Sequence, residues 1–151
     1  SRGLGDVYKR QIGHGRAEIY RAVLEGIAHG VRHNLEVMRE AGGAAQRLVA
    51  VGGGTRGGLW TRIVTDVTGV PQQIPQHTVG AALGDAFMAA VATGADPDPR
   101  AWNPVVETIE PDPRAREVYD AYHRHYRSLY TGTVETAHFL AARQRSDHAC
   151  P

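Results

Sequence analysis

Three consecutive glycines at residues 52–54 constrain this sequence more than any other feature. They follow a short β-favouring run, residues 47–51 (RLVAV), and Gly57 and Gly58 stand directly before a helical pattern. A loop that leaves a strand and opens a helix points free backbone N–H groups and the positive end of the helix dipole at whatever lies above it. Phosphate is the group that such a loop binds most readily.

Two well-known nucleotide-binding patterns can be compared with this loop. The P-loop pattern requires a Gly-Lys-Ser/Thr ending, and no lysine follows these glycines. Gly52, Gly54 and Gly57 satisfy the GxGxxG spacing of dinucleotide-binding folds, but residues 70–75 (VPQQIP) lack the acidic residue that should end the next strand. An NAD-dependent oxidoreductase is therefore the weaker interpretation. A tight strand-to-helix turn that binds nothing is a further alternative.

A long helix is predicted before the loop. Apolar residues recur at steps of three and four along residues 16–41, so that they share one helical face. Gly42 and Gly43 can take the left-handed conformation that closes a helix. The residues of this face are Ile19, Val23, Ile27, Val31, Leu35 and Met38.

Helices and strands alternate over the rest of the chain, which predicts an α/β fold in one compact unit. The helix after the loop ends at Gly69, an alanine-rich helix covers residues 79–93, and strands are predicted at residues 70–75 and 105–109. The prolines of residues 70–75 favour an edge position in the sheet. A last helix carries Val118, Tyr122, Tyr126 and Leu129 along one face.

Composition and charge exclude several classes of protein. The 151 residues are 42% hydrophobic and 22% charged, which suits one globular domain. Seventeen Lys and Arg residues against 16 Asp and Glu residues leave a formal charge of +1, so nothing favours nucleic acid or a membrane as a partner. Cys150 has no second cysteine with which to form a disulfide. We expect a cytoplasmic protein.

Three segments resemble the FGGY family of carbohydrate kinases. Residues 14–36 (HGRAEIYRAVLEGIAHGVRHNLE) resemble the family's long helix, with its Arg-Ala pair and its Leu-Glu-Gly-Ile-Ala run. Residues 47–71 resemble the family's strand, its Gly-Gly-Gly adenosine loop and the helix that ends in Asp-x-x-Gly-x-Pro. Residues 80–94 are also similar. The resemblance covers about residues 12–144 in the family's order and is specific at the family level.

The resemblance implies a fold and an activity. The fold is an α/β fold of the ribonuclease-H-like type found in actin and hexokinase, here the C-terminal lobe with a mixed sheet and packed helices. The activity is ATP-dependent phosphorylation of a sugar or polyol, with ATP/ADP and Mg²⁺ as cofactors. By resemblance, Gly53 and Gly54 would lie against the α-phosphate and ribose, and Thr55 and Gly58 would border the adenine. The identity of the sugar and the oligomeric state, including a homo-oligomer, stay open.

The resemblance leaves the N-terminal lobe of the family without a counterpart. That lobe carries the sugar pocket and the catalytic base, so we expect no catalytic residue and no metal ligand in this chain, and no phosphoryl transfer by it alone. Residues 1–11 are interpreted as a foreign or disordered leader, residues 12–144 as the kinase lobe and residues 145–151 as a loose tail. The alternative is a non-catalytic nucleotide-binding or association module whose last helix is the contact face.

Other polar and aromatic residues have simpler explanations than catalysis. His29 and His33 are four apart on one helix, but no third metal ligand is evident. We interpret Asp66 and Asp85 as solvated helix residues, with an indirect role at Mg²⁺ as the alternative. A stripe of tyrosines on the last helix predicts packing rather than ligand stacking. The stripe consists of Tyr119, Tyr122, Tyr126 and Tyr130.

Overall fold

The computed structural model of the chain describes residues 15–147, and the side chains of residues 15–144. The elements in chain order are α1 (Arg16–Glu40), β1 (Leu48–Val49), a 3-10 turn (Gly53–Gly57), α2 (Leu59–Thr68), β2 (Gln72–Pro75), α3 (Gly80–Ala92), α4 (Pro99–Trp102), β3 (Val105–Ile109), a second 3-10 turn (Pro113–Ala115) and α5 (Arg116–Asp147). The chain divides into two compact units, with the boundary after Arg116, where the sequence predicted one unit. Residues 1–11, the predicted leader, lie outside the described residues.

A small mixed sheet of order β1-β2-β3 belongs to the first unit. β1 is parallel to β2, with Leu48 opposite Gln72, and β3 is antiparallel to β2, with Ile109 opposite Gln72. The edge position predicted for residues 70–75 is therefore wrong, since β2 is the central strand. Pro71 precedes β2 and Pro75 ends it where the register shifts, so neither proline removes an N–H group from the middle of the strand.

Helix α2 supplies most of the core of the first unit. It begins after Gly58 and ends at Gly69, which takes the predicted left-handed conformation (φ 69°) and donates its N–H to the Thr65 carbonyl at 2.9 Å. Each fully buried Ile or Val side chain contributes about 1.5–3 kcal/mol. The buried residues of α2 are Thr61, Ile63, Val64, Thr65 and Val67.

Helix α1 has nearly the predicted extent, but its predicted apolar face stays largely exposed. Ile19, Val23 and Ile27 are 60%, 56% and 52% exposed. Ala28 and His29, on the other side of the helix, are buried, and α1 packs against α2. The residues at the N-terminal end of the exposed side, here called the outer face of α1, are Ile19, Tyr20, Val23 and Ile27.

Helix α3 is apolar on all sides and yet contains no buried residue. Asp85 is its only charged residue, and it is exposed. Phe87 packs edge-to-face against Trp102 of α4, with ring centroids 5.6 Å apart. A helix that is apolar all round usually lies inside a larger core.

Helix α5 makes up nearly all of the second unit and divides the tyrosine stripe. Tyr119 is buried, whereas Tyr122 and Tyr130 are exposed, and His123 stacks on Tyr126 with ring centroids 6.1 Å apart. The helix continues to Asp147, although a loose tail was predicted from residue 145; the rest of that tail lies outside the described residues. Despite its length, neither α5 nor any other helix within residues 15–147 is apolar enough over a sufficient length to cross a bilayer.

Asp66 joins α2 to the segment that follows β3. Its Oδ1 accepts a hydrogen bond from the backbone N–H of Asp112 at 2.9 Å, and its side chain is 11% exposed. Arg62, one turn earlier on α2, donates to the Glu110 carbonyl at 2.7 Å. Asp66 is therefore not the solvated residue that the sequence predicted. Arg114 lowers the pKa of Asp112, chiefly through a side-chain hydrogen bond.

We expect Asp66→Ala to lower the free energy of unfolding by about 1–3 kcal/mol, because the Asp112 N–H loses its acceptor in a half-buried position. Asp66→Asn keeps an acceptor oxygen and should lose less. Urea unfolding followed by circular dichroism measures the difference. Asp85→Ala, at an exposed position of α3, is the control and should change stability by under about 0.5 kcal/mol. Equal losses in Asp66→Ala and Asp85→Ala would contradict the assigned role.

Candidate functional site

The glycine loop lies between the end of β1 and the start of α2, as the sequence predicted. Gly53–Gly57 form one 3-10 turn, and the residues on either side, Gly52 and Gly58, have φ of 93° and 69°. Backbone with positive φ in this range is accessible to glycine and strained for other residues. The chain therefore enters and leaves the turn through two conformations that favour glycine.

Hydrogen bonds fix the start of the loop. The N–H of Gly52 donates to the Thr78 carbonyl at 2.6 Å, which ties the loop to the segment before α3. The N–H and the hydroxyl of Thr55 both donate to the Gly52 carbonyl, at 3.3 and 2.8 Å. The hydroxyl of Thr55 is thus engaged inside the loop, and this residue closes the turn.

Trp60, in the first turn of α2, lies directly against Gly54. A Cβ atom at Gly54 would stand 2.9 Å from Cδ1 and 3.3 Å from Nε1 of Trp60. No atom lies within 4 Å of the corresponding Cβ positions at Gly53, Gly57 and Gly58. Of the predicted site residues, Gly54 is therefore the one with a side chain directly against its Cβ position, whereas Gly53 and Gly58 border open space there.

Two cavities flank the loop, and Gly54 and Trp60 line both of them. The first has a volume of about 390 Å³ and lies between the loop and α1, where Tyr20, Leu24 and Ile27 form its wall. The second has a volume of about 310 Å³ and lies beside β1. No charged side chain lines either cavity. Both spaces can accept flat or apolar groups next to the open backbone.

The loop and the start of α2 favour an anion. The N-cap residue, Gly58, has no side chain that could accept from the first turn of α2, so the first backbone N–H groups point out of the helix end. Arg56 is exposed and is the only charged side chain within residues 52–58. The sequence patterns did not indicate Arg56 or Trp60 as site residues. Only the position of Arg56 between the loop glycines could have indicated that it belongs to the site.

The histidine pair on α1 does not belong to a metal centre in the described residues. His29 is buried, and Nδ1 of His33 is buried without a hydrogen-bond partner. Over residues 15–147, no three side chains of His, Cys, Asp or Glu converge as a metal site would require.

The sequence profile of the FGGY family of carbohydrate kinases, C-terminal domain, matches residues 8–93, which include the whole loop. The match begins inside residues 1–11, which sequence analysis had set apart as a leader. The xylulose kinase of Staphylococcus epidermidis is 28% identical over 126 residues, and the autoinducer-2 kinase of an Enterobacter species is 32% identical over 123 residues. These matches cover 81% and 76% of this chain, and 25% and 23% of those proteins.

A solved structure gives a similar result. The crystal structure of xylulose kinase from Rhodospirillum rubrum matches with a TM-score of 0.70 at 36% sequence identity. The match covers 83% of this chain and 26% of that one. The chain therefore spans about a quarter of the length of the relatives it matches.

We expect Gly54→Ala to destabilise the fold by about 1–3 kcal/mol, because the added methyl group forces the indole of Trp60 to move. Gly53→Ala, whose methyl group meets open space, should change stability by under about 0.5 kcal/mol. Thermal and urea unfolding of the two variants test this contrast. A loss at Gly53→Ala as large as that at Gly54→Ala would show that the two glycines do not differ in their surroundings.

Proposed function

Because this chain belongs to the FGGY family of carbohydrate kinases, we propose that it is the C-terminal, nucleotide-holding part of an ATP-dependent sugar or polyol kinase. The glycine loop carries the proposal: its backbone is open at Gly53 and Gly57, it precedes the uncapped start of α2, and it lies inside the segment that the family profile matches. Phosphoryl transfer from ATP to a sugar hydroxyl is the activity of the full-length parent.

The residues of the loop fit an adenosine phosphate. The backbone of Gly53 is open and would lie against the α-phosphate and ribose, and the exposed Arg56 would contribute positive charge. Gly58 and Thr55 border the base, with Thr55 contributing its backbone and methyl group because its hydroxyl is already bonded to Gly52. Gly54 has a structural part in the same site, since Trp60 lies against it.

Mg²⁺ neutralises charge on the phosphates of the bound nucleotide during transfer. The described residues contain no group of three or more metal-ligating side chains. We therefore assign the metal to the nucleotide phosphates and to residues of the parent enzyme beyond this chain. The catalytic base and the sugar pocket lie there too, so the chain alone does not phosphorylate a sugar.

The fold supports this assignment. The first unit is an α/β unit with a small mixed sheet, and a layer of this kind is compatible with part of one lobe of a ribonuclease-H-like kinase. A ligand-bound xylulose kinase from Lactobacillus acidophilus, at only 18% identity, has the same fold over 80% of this chain, with a TM-score of 0.71.

Exposed apolar surface supports a role inside a longer polypeptide. In the described part of the chain, the outer face of α1 is exposed, and α3, a mostly apolar helix, buries no residue. Isolated soluble domains rarely expose extended surfaces of this kind. Because the chain covers 25% of the Staphylococcus xylulose kinase, about three quarters of a similar parent is available to cover them.

Exposed Leu129 and Tyr130 of α5 instead favour the second candidate, an association module.

We expect Mg-ADP to bind the purified chain in titration calorimetry. Gly53→Val should weaken binding by at least about tenfold, which is about 1.4 kcal/mol, because its side chain fills the space that the nucleotide needs. Gly132→Val, at an equally open position on α5, is the matched control and should bind like the parent sequence.

Two outcomes of this titration would contradict the proposal. One is a folded chain that binds no Mg-ADP. The other is tighter binding of NAD than of ADP, which would favour the interpretation of the loop as a dinucleotide-binding site. Light scattering of the same samples tests the association module, which requires a stable oligomer.

A further inference from the structure

We infer that Trp60 is the positioning residue of the glycine loop: its indole lies against Gly54 and thereby keeps the open backbone of Gly53 ready for a nucleotide. The inference rests on the proposed nucleotide site and deepens it. Trp60 acts through the loop and need not touch the ligand.

The contact between Trp60 and Gly54 is the closest of its kind in the loop. The three atoms nearest to a Cβ position at Gly54 all belong to the indole: Cδ1 at 2.9 Å, Nε1 at 3.3 Å and Cγ at 3.8 Å. The other loop glycines, Gly52, Gly53, Gly57 and Gly58, have no atom within 4 Å of this position. Among the loop glycines, the indole therefore lies against Gly54 alone, and Gly54 follows the open Gly53.

Hydrogen bonds hold the two ends of the loop. The bond from Gly52 to Thr78 fixes the entry, and Thr55 bonds back to Gly52. At the exit, the Gly58 carbonyl accepts from the hydroxyl of Thr61 and the N–H of Arg62. None of these bonds involves Gly54. Trp60 stands on the first turn of α2, whose next turn contributes the buried Ile63 and Val64. The indole thus connects the middle of the loop to the core of the first unit.

The cavities show what the indole prevents. Gly54 and Trp60 are the two residues that line both the 390 Å³ and the 310 Å³ cavity, so the Gly54–Trp60 contact separates them. Without the indole the two spaces join, and the middle of the loop has open space on both sides. Glycine-rich backbone loses more conformational freedom on ordering than any other, so an unsupported loop spreads over many conformations. Apparent affinity falls in proportion to the fraction that stays competent to bind.

The test uses the 151-residue chain with three substitutions. Trp60→Ala removes the support, Trp60→Phe keeps a flat ring, and Trp102→Ala removes the other tryptophan, which packs edge-to-face on Phe87. If the unsupported loop is competent about one tenth of the time, Trp60→Ala raises the apparent Kd for Mg-ADP about tenfold. We expect Trp60→Phe and Trp102→Ala to stay within about threefold of the parent sequence.

Fluorescence gives a readout that a general loss of stability would not produce. In a Trp102→Phe background, Trp60 is the only tryptophan of the chain. Saturation with Mg-ADP should then change the emission of Trp60 with the same Kd that calorimetry gives. Unchanged emission at saturation, or equal loss of affinity in Trp60→Ala and Trp102→Ala, would overturn the inference. If Trp60→Ala does not fold, the emission and the Trp60→Phe affinity decide the question.

Failure of the proposed function remains distinguishable. If the parent sequence binds no Mg-ADP, hydrogen exchange of the amides of residues 52–58 still measures how far Trp60 restricts the motion of the loop. Faster exchange in Trp60→Ala than in Trp60→Phe and Trp102→Ala shows that the indole supports the loop in the absence of a nucleotide. Equal exchange in these variants rejects that role.

Discussion

The buried face of α2 is the constraint on which the first unit depends. Ile63 and Val67 are fully buried, α1 packs against the same helix, and Asp66 and Arg62 bind the segment that follows β3. Because α2 begins directly after the glycine loop, its placement also fixes the loop. Trp60 carries this effect from the core to Gly54. Stability of the core and shape of the candidate site are therefore two consequences of one helix.

The helices of the first unit differ in how far their apolar faces are buried within the described residues. The apolar face of α2 is buried within the first unit, whereas α3 buries no residue and the outer face of α1 is exposed. Apolar surface of this extent costs free energy in water unless something covers it. The chain spans about a quarter of the length of the Staphylococcus xylulose kinase, and under the proposed function the remainder of the parent would cover these faces.

Local features of the fold could be predicted from the sequence, and nonlocal ones could not. Periodicity and glycines gave α1, the loop and the end of α2 at Gly69 nearly as observed. The central position of β2 depends on β3, more than thirty residues away, which no local pattern contains. Periodicity also identified the apolar face of α1, but it could not show that this face stays largely exposed in the described residues. No sequence pattern indicates that the side chain of Trp60 lies against Gly54, so only the folded chain reveals their contact.

The central claim is that the glycine loop is a preformed nucleotide site, and amide chemical shifts measured during a titration with Mg-ADP test it most directly. The account predicts shifts concentrated at residues 52–60, led by the amides of Gly53 and Gly57, with α5 unaffected. Shifts spread over α5, or no shifts at all in a folded chain, would contradict it.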